Sequence, residues 1–236
     1  MRRVAYFCAG ILSGLSPQFA HADGSGVGQI YAPYVQPLEK EIEFVAVYDE
    51  RSRGGLIPAS HWGKVGYGTA LWDYFYTEVA LTQTIAEDDT YTTIELEGIW
   101  QLTEQGEYSS DWGMLFELET SFDRSANEFT LGLINSRDWG RWTVLANATA
   151  ALEWGDDIRD EFETALAIQT RYRANQAFEP TIELFVAQET LCLGPGLTGI
   201  IKLNGPEQLR WNTALLAGLD SNTDFSFKLE FEYEFF

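Results

Sequence analysis

Apolar residues recur at every second position along almost the whole chain, in successive runs of about ten residues. EIEFVAVYD places Ile42, Phe44, Ala46 and Tyr48 on one face, and KVGYGTAL does the same with Val65, Tyr67, Thr69 and Leu71. FYTEVALTQ gives Phe75, Thr77, Val79 and Leu81. TTIELEGIWQL sets Ile94, Leu96, Trp100 and Leu102 against Glu95 and Glu97, and WGMLFELETSF sets Trp112, Met114, Phe116 and Leu118 against Glu117 and Glu119. The closing FSFKLEFEYEFF alternates Phe225, Phe227, Leu229, Phe231, Tyr233 and Phe235 with Ser226, Lys228, Glu230, Glu232 and Glu234. A period of two is the signature of strands, because successive side chains point to opposite faces.

The same reading finds strands at EFTLGLI, RWTVLANATAALEW, FETALAIQTRYR, PTIELFVAQ, LTGIIKL and QLRWNTALLAGL. The expected total is about twelve, within a range of ten to fourteen. Turn chemistry separates them at WDY, NSRDWG (135–140), ANQA, NGPE and DSNTD. Strands of about ten residues suit either a soluble β-sandwich or a closed barrel whose tilted strands cross a membrane.

The first residues set the compartment. MRR, the apolar VAYFCAGILSGL and Ala20-His21-Ala22 predict a secretory signal peptide over 1–22. Its removal would take two arginines and no acid, moving the formal net charge from −21 to about −23. Cys192 would then have no second cysteine in the chain to pair with. Such acidity excludes nucleic acid as a partner, since phosphate binding needs Lys and Arg. The segment 23–39 has Gly, Pro and no strand period, and reads as a periplasmic linker or a lumenal plug. Composition favours the linker. Residues 40–236 form the barrel.

The apolar face decides between sandwich and barrel. It is aromatic near strand ends, at Tyr48, Trp100, Trp112, Trp142, Trp154, Tyr172 and Tyr233, as interfacial girdles are. With the leader, the repeated strands and the ending YEFF, the chain resembles Gram-negative outer-membrane β-barrel proteins of the porin-like kind. That resemblance implies an all-β, closed antiparallel transmembrane barrel in lipid, reached by Sec-dependent export. It also implies recognition of Tyr233, Phe235 and Phe236 by the barrel-assembly machinery. Phe236 departs from the alternation by one step.

In lipid every backbone group must be paired within the protein, so the last strand must meet the first. Glu41 and Glu43 then come beside Glu230, Glu232 and Glu234 at the periplasmic mouth, as a cation-attracting ring or a solvated rim. Within the lumen the expected acids are Glu95, Glu97, Glu117, Glu119, Glu163 and Glu183. The expected bases are Arg171, Arg173, Lys202, Arg210 and Lys228. These charges set either a field across the pore or salt-bridge ladders that fill it, such as Arg171 or Arg173 with Glu183 or Glu153.

The favoured function is a passive channel for small cationic or neutral solutes. The alternatives are a non-conducting scaffold or sleeve for a periplasmic or surface partner, and an outer-membrane hydrolase. For the last, His61 is the one candidate base, and its neighbour Ser60 points to the opposite face. No catalytic set, cofactor or metal set is expected. The acids Asp88 and Asp89, and the run Asp156-Asp157-Ile158-Arg159-Asp160, read as solvated loops without EF-hand spacing.

Overall fold

The structure is a computed structural model that describes residues 26–51, 60–86, 90–156, 158–188, 190–220 and 223–236. The expected leader, with Asp88, Asp89 and Asp157, lies outside the described residues. Twelve strands follow in chain order: β1 (Lys40–Arg51), β2 (Ser60–Trp72), β3 (Phe75–Ala86), β4 (Thr90–Gln101), β5 (Asp111–Ser121) and β6 (Asn127–Trp139) come first. Then come β7 (Trp142–Trp154), β8 (Glu161–Tyr172), β9 (Glu179–Val186), β10 (Leu191–Lys202), β11 (Gln208–Gly218) and β12 (Thr223–Phe235). Each pairs antiparallel with its sequence neighbours, and β12 returns to β1 to close the barrel. No helix among the described residues is long and apolar enough to cross a membrane. A strand of 12 residues, such as β1, reaches about 40 Å at about 3.3 Å per residue. That length crosses a hydrocarbon core of about 30 Å with tilt.

Two expected boundaries move. Asn135–Trp139, read as a turn from its polar residues, continues β6 to a two-residue reversal at Gly140-Arg141. Gly140 takes φ +60°, which a side chain would strain. The weak strand at LTGIIKL is the second half of β10, which begins at Leu191 and carries Pro195 in its middle.

The outer face is apolar. Ile42, Phe44, Val65, Tyr67, Val79, Leu81, Leu96, Leu131 and Phe227 all stand exposed on it. Tryptophans cluster at the mouth where β1 begins and β12 ends, called here the near mouth: Trp72, Trp100, Trp112, Trp139 and Trp142 are exposed there. At the opposite, far mouth the exposed aromatics are Tyr48, Phe122, Trp154, Phe162 and Phe225. Indole and phenol rings suit the two boundaries of a bilayer, with an aliphatic band between.

The inner face is not uniformly polar. Val45, Val47, Phe185, Cys192 and Leu216 form one buried apolar cluster, and Tyr76, Ile99, Leu115 and Ile134 form another. Both are completed by the N-terminal segment, through Val27 and Ile30 in the first and Tyr31 and Val35 in the second. Residues 26–36 therefore run inside the barrel, contrary to the linker favoured from composition. Apolar side chains on an inward face need an apolar partner, and the segment supplies it. The chain leaves the lumen through a turn at Gln36–Glu39, where the Glu39 amide donates to the Gln36 carbonyl at 3.2 Å. Pro37 enters this turn and Leu38 takes φ 70°, the left-handed region that favours glycine. The Ala70 amide then donates to the Glu39 carbonyl at 3.0 Å, and β1 begins.

Candidate functional site

The segment is extended, and the wall grips it residue by residue from the far mouth to the near one. Gly26 lies against Thr190, in the connection between β9 and β10 at the far mouth. Lys228 donates to the Gly28 carbonyl at 3.2 Å, and Gln29 donates to Glu43. Asn147 holds both backbone groups of Tyr31. The Tyr31 amide donates to Asn147 Oδ1 at 2.6 Å, and Asn147 Nδ2 donates to the Tyr31 carbonyl at 3.0 Å. The Tyr31 hydroxyl donates to Glu97 at 2.7 Å, and the Tyr34 hydroxyl donates to Asp111 at 2.8 Å. The Val35 amide donates to Gln101 at 2.8 Å. Pro33 passes so close to Gly113 that a Cβ there would sit 3.0 Å from the proline ring. Burial pushes the Tyr34 phenol up to about 12, and burial with the Glu97 charge pushes Tyr31 well above its usual value. Both phenols therefore stay protonated and donate.

The segment divides the remaining space. A cavity of about 350 Å³ opens toward the far mouth, lined by Glu95, Glu117, Glu119, Glu128 and Glu163 among others. A second, of about 520 Å³, lies toward the near mouth, lined by Glu39, Glu41, Glu232, Arg171, Arg173 and Arg210 among others. Gln29 and Tyr31 border both.

Carboxylates crowd one wall. Glu95 faces Glu119 and Glu97 faces Glu117 across β4 and β5, while Glu119 faces Glu128 across β5 and β6. Like charges directly opposite each other repel. Lys64 compensates part of this wall. Its ammonium lies 2.9 Å from Glu43, 3.3 Å from Glu78, 3.5 Å from Glu95 and 3.7 Å from Glu97. One cation among four buried carboxylates leaves the wall acidic.

The opposite wall is paired. Lys228 sits 2.9 Å from Glu183 and 3.1 Å from Glu230, with Gln169 and Asn212 donating to Glu183. Arg210 bridges Glu232 at 3.1 Å and Glu234 at 2.8 Å. Arg171 pairs with Glu179 at 3.2 Å and Arg173 with Asp138 at 3.2 Å. The expected partners Glu183 and Glu153 are not theirs, because the register sets Gln169 opposite Glu183 and Arg171 opposite Thr181. Lys202 is exposed at the end of β10. The expected mouth cluster does assemble, with Glu41 opposite Glu234 and Glu43 opposite Glu232. It is no solvated rim, however: Glu43 and Glu234 are buried, and Tyr76 donates to Glu41. Tyr233 and Phe235 stack on the outer face, and Phe236 is exposed.

His61 stacks on Tyr48 with ring centroids 4.5 Å apart, while Ser60 is buried on the other face. Ser60 and His61 therefore do not form a nucleophile–base pair with each other. Two carboxylate groups, Glu78/Glu95/Glu97 and Glu95/Glu117/Glu119, are spaced closely enough to share a cation. Lys64 already occupies the first.

The residues missed in the sequence were Lys64, Glu78, Asn147, Tyr31, Tyr34, Gln101 and Asp111. A signal was present for the segment: Val45, Val47, Ile99, Leu115, Ile134 and Phe185 all fall on the inward parity of their strands. A water-filled lumen gives such residues nothing to pack on.

No family model matches the sequence, and no curated protein matches it. Solved structures do resemble the fold. The translocator domain of the autotransporter NalP from Neisseria meningitidis aligns with TM-score 0.61 at 11% identity, covering 85% of this chain and 89% of that one. An outer-membrane channel from Pseudomonas putida F1 aligns with TM-score 0.57 at 14% identity, covering 86% and 98%. The KdgM porin in complex with disordered oligogalacturonate aligns with TM-score 0.55 at 10% identity, covering 83% and 99%. In fold, this chain is a closed antiparallel barrel of twelve strands, similar to these outer-membrane β-barrels.

Proposed function

We propose that the protein is a small outer-membrane channel of a Gram-negative bacterium, passing small cations and neutral solutes in preference to anions. The observation that carries this reading is the acidic wall of β3 to β6, which borders both cavities and in which one cation, Lys64, is shared among four carboxylates. Fixed negative charge on a low-dielectric wall concentrates cations and excludes anions. The KdgM porin was seen with oligogalacturonate, an acidic sugar chain; a wall of glutamates disfavours such a solute. The segment 26–36 narrows the path and limits the current. Sec-dependent export and assembly through Tyr233, Phe235 and Phe236 belong to the same reading.

Single-channel recording of the refolded full chain in a planar bilayer, under a salt gradient, tests this. Discrete steps with a cation-selective reversal potential support it. A folded, heat-modifiable barrel that never conducts overturns it. That outcome favours the second reading, a sleeve around a polypeptide, for which the gripped segment is the specific observation.

A further inference from the structure

The contacts along the segment have the character of ligand recognition. An asparagine that both accepts from and donates to the backbone of one residue reads the chain as an extended strand, whatever its side chain. Asn147 does this at Tyr31, and Gln101 and Lys228 hold the backbone at Val35 and Gly28. Side chains are read separately. Glu97 and Asp111 each take one tyrosine hydroxyl, and the two apolar clusters take Val27 and Val35. The grips come from different strands in turn: β12 at Gly28, β1 at Gln29, β7 and β4 at Tyr31, β5 at Tyr34 and β4 at Val35.

We propose that the lumen is a binding site for an extended polypeptide bearing two tyrosines three residues apart, and that residues 26–36 are its tethered occupant. The direction is fixed, with the N-terminal end of the occupant toward the far mouth and its C-terminal end toward the near mouth. The occupant exchanges with a free strand of the same chemistry presented at the near mouth. This goes beyond the channel reading and does not depend on whether the lumen conducts. The test reads binding and labelling, so its failure is distinct from a failure to conduct.

The full chain with Tyr31→Ala and Tyr34→Ala keeps its tether but loses both hydroxyl contacts. A fluorescent peptide of residues 26–36 should bind it saturably, and bind the wild-type chain at least about tenfold more weakly, since a tethered strand competes at high effective concentration. A scrambled peptide should bind neither. Equal binding of the scrambled and native peptides, or no binding to a variant that remains heat-modifiable, overturns the proposal. A second measurement covers the case where that variant does not fold. In Val35→Cys the thiol replaces a side chain buried in the second apolar cluster, and Cys192 is fully buried. Adding Asn147→Leu should raise the maleimide labelling rate at position 35 by about tenfold, the kinetic equivalent of two lost hydrogen bonds. An unchanged rate means that Asn147 does not hold the strand, and overturns the proposal.

Discussion

On one side of the lumen, β3 to β6 present Glu78, Glu95, Glu97, Glu117, Glu119 and Glu128, with Lys64 shared among the first three and Glu43. On the other, β8 to β12 present Arg171, Lys228 and Arg210, each within 3.3 Å of a carboxylate of its own wall. Just past β8, Arg173 reaches across to Asp138 of β6 at 3.2 Å. Both walls are made of the same residue types on the same kind of strand. They differ in how many bases stand within reach of the carboxylates: Arg210 lies directly opposite Glu232, whereas Glu95 and Glu97 lie directly opposite Glu119 and Glu117. A charge-balanced wall supports the barrel, and one with excess carboxylate is available to a permeating cation.

The largest expected effect falls on the hub of the acidic wall. Lys64→Met leaves four buried carboxylates without a counter-ion, and should destabilise the barrel by about 3–5 kcal/mol. The urea midpoint of the heat-modifiable form measures this; a loss below about 1 kcal/mol would mean that water already neutralises the site. Lys228→Met should cost less, because Gln169 and Asn212 still donate to Glu183. Next comes selectivity. Glu117→Gln with Glu119→Gln should reduce the cation-selective reversal potential and leave the barrel as stable or more so, since it relieves repulsion. The equivalent change on the paired wall, Glu232→Gln, should move selectivity little. An equal shift from both would remove the distinction between the walls.

A smaller effect follows pH. Burial, a hydrogen bond with Glu234 and that residue's charge push the Glu39 carboxyl from its usual 4.5 up to about 8. The folded state therefore holds a proton that the unfolded state has released between these values. Its contribution is complete below the lower value and is lost as pH rises through the upper one. The near-mouth end of the segment should loosen as pH rises from about 4.5 to about 8, read as labelling at Val35→Cys that quickens more than the growing thiolate fraction accounts for. Glu39→Gln should flatten that profile. Smallest of all, His61→Ala should leave lipid hydrolysis where it began, at background, because His61 faces outward against Tyr48.

The alternation EIEFVAVYD shows how far local pattern reaches. Ile42, Phe44 and Tyr48 were legible as one face, and they do stand together on the outside. Val45 and Val47 were visible on the other face, but nothing local says what covers them. Their partner, Val27, lies outside any strand. Likewise Lys64 reads as a single cation in KVGYGTAL. It becomes a hub because register brings β1, β3 and β4 around β2, bonding it to residues 14 to 33 positions away.

Period and strand length predicted about twelve strands, and the aromatic strand ends with the family resemblance pointed to an apolar exterior and closure. These follow from a rule that applies to each strand alone: side chains alternate, and lipid tolerates no unpaired backbone. Which lumen charges meet, and where the N-terminal segment lies, was decided by tertiary structure. A segment without period carries no local preference, and its place depends on a surface that exists only once distant strands have closed around it.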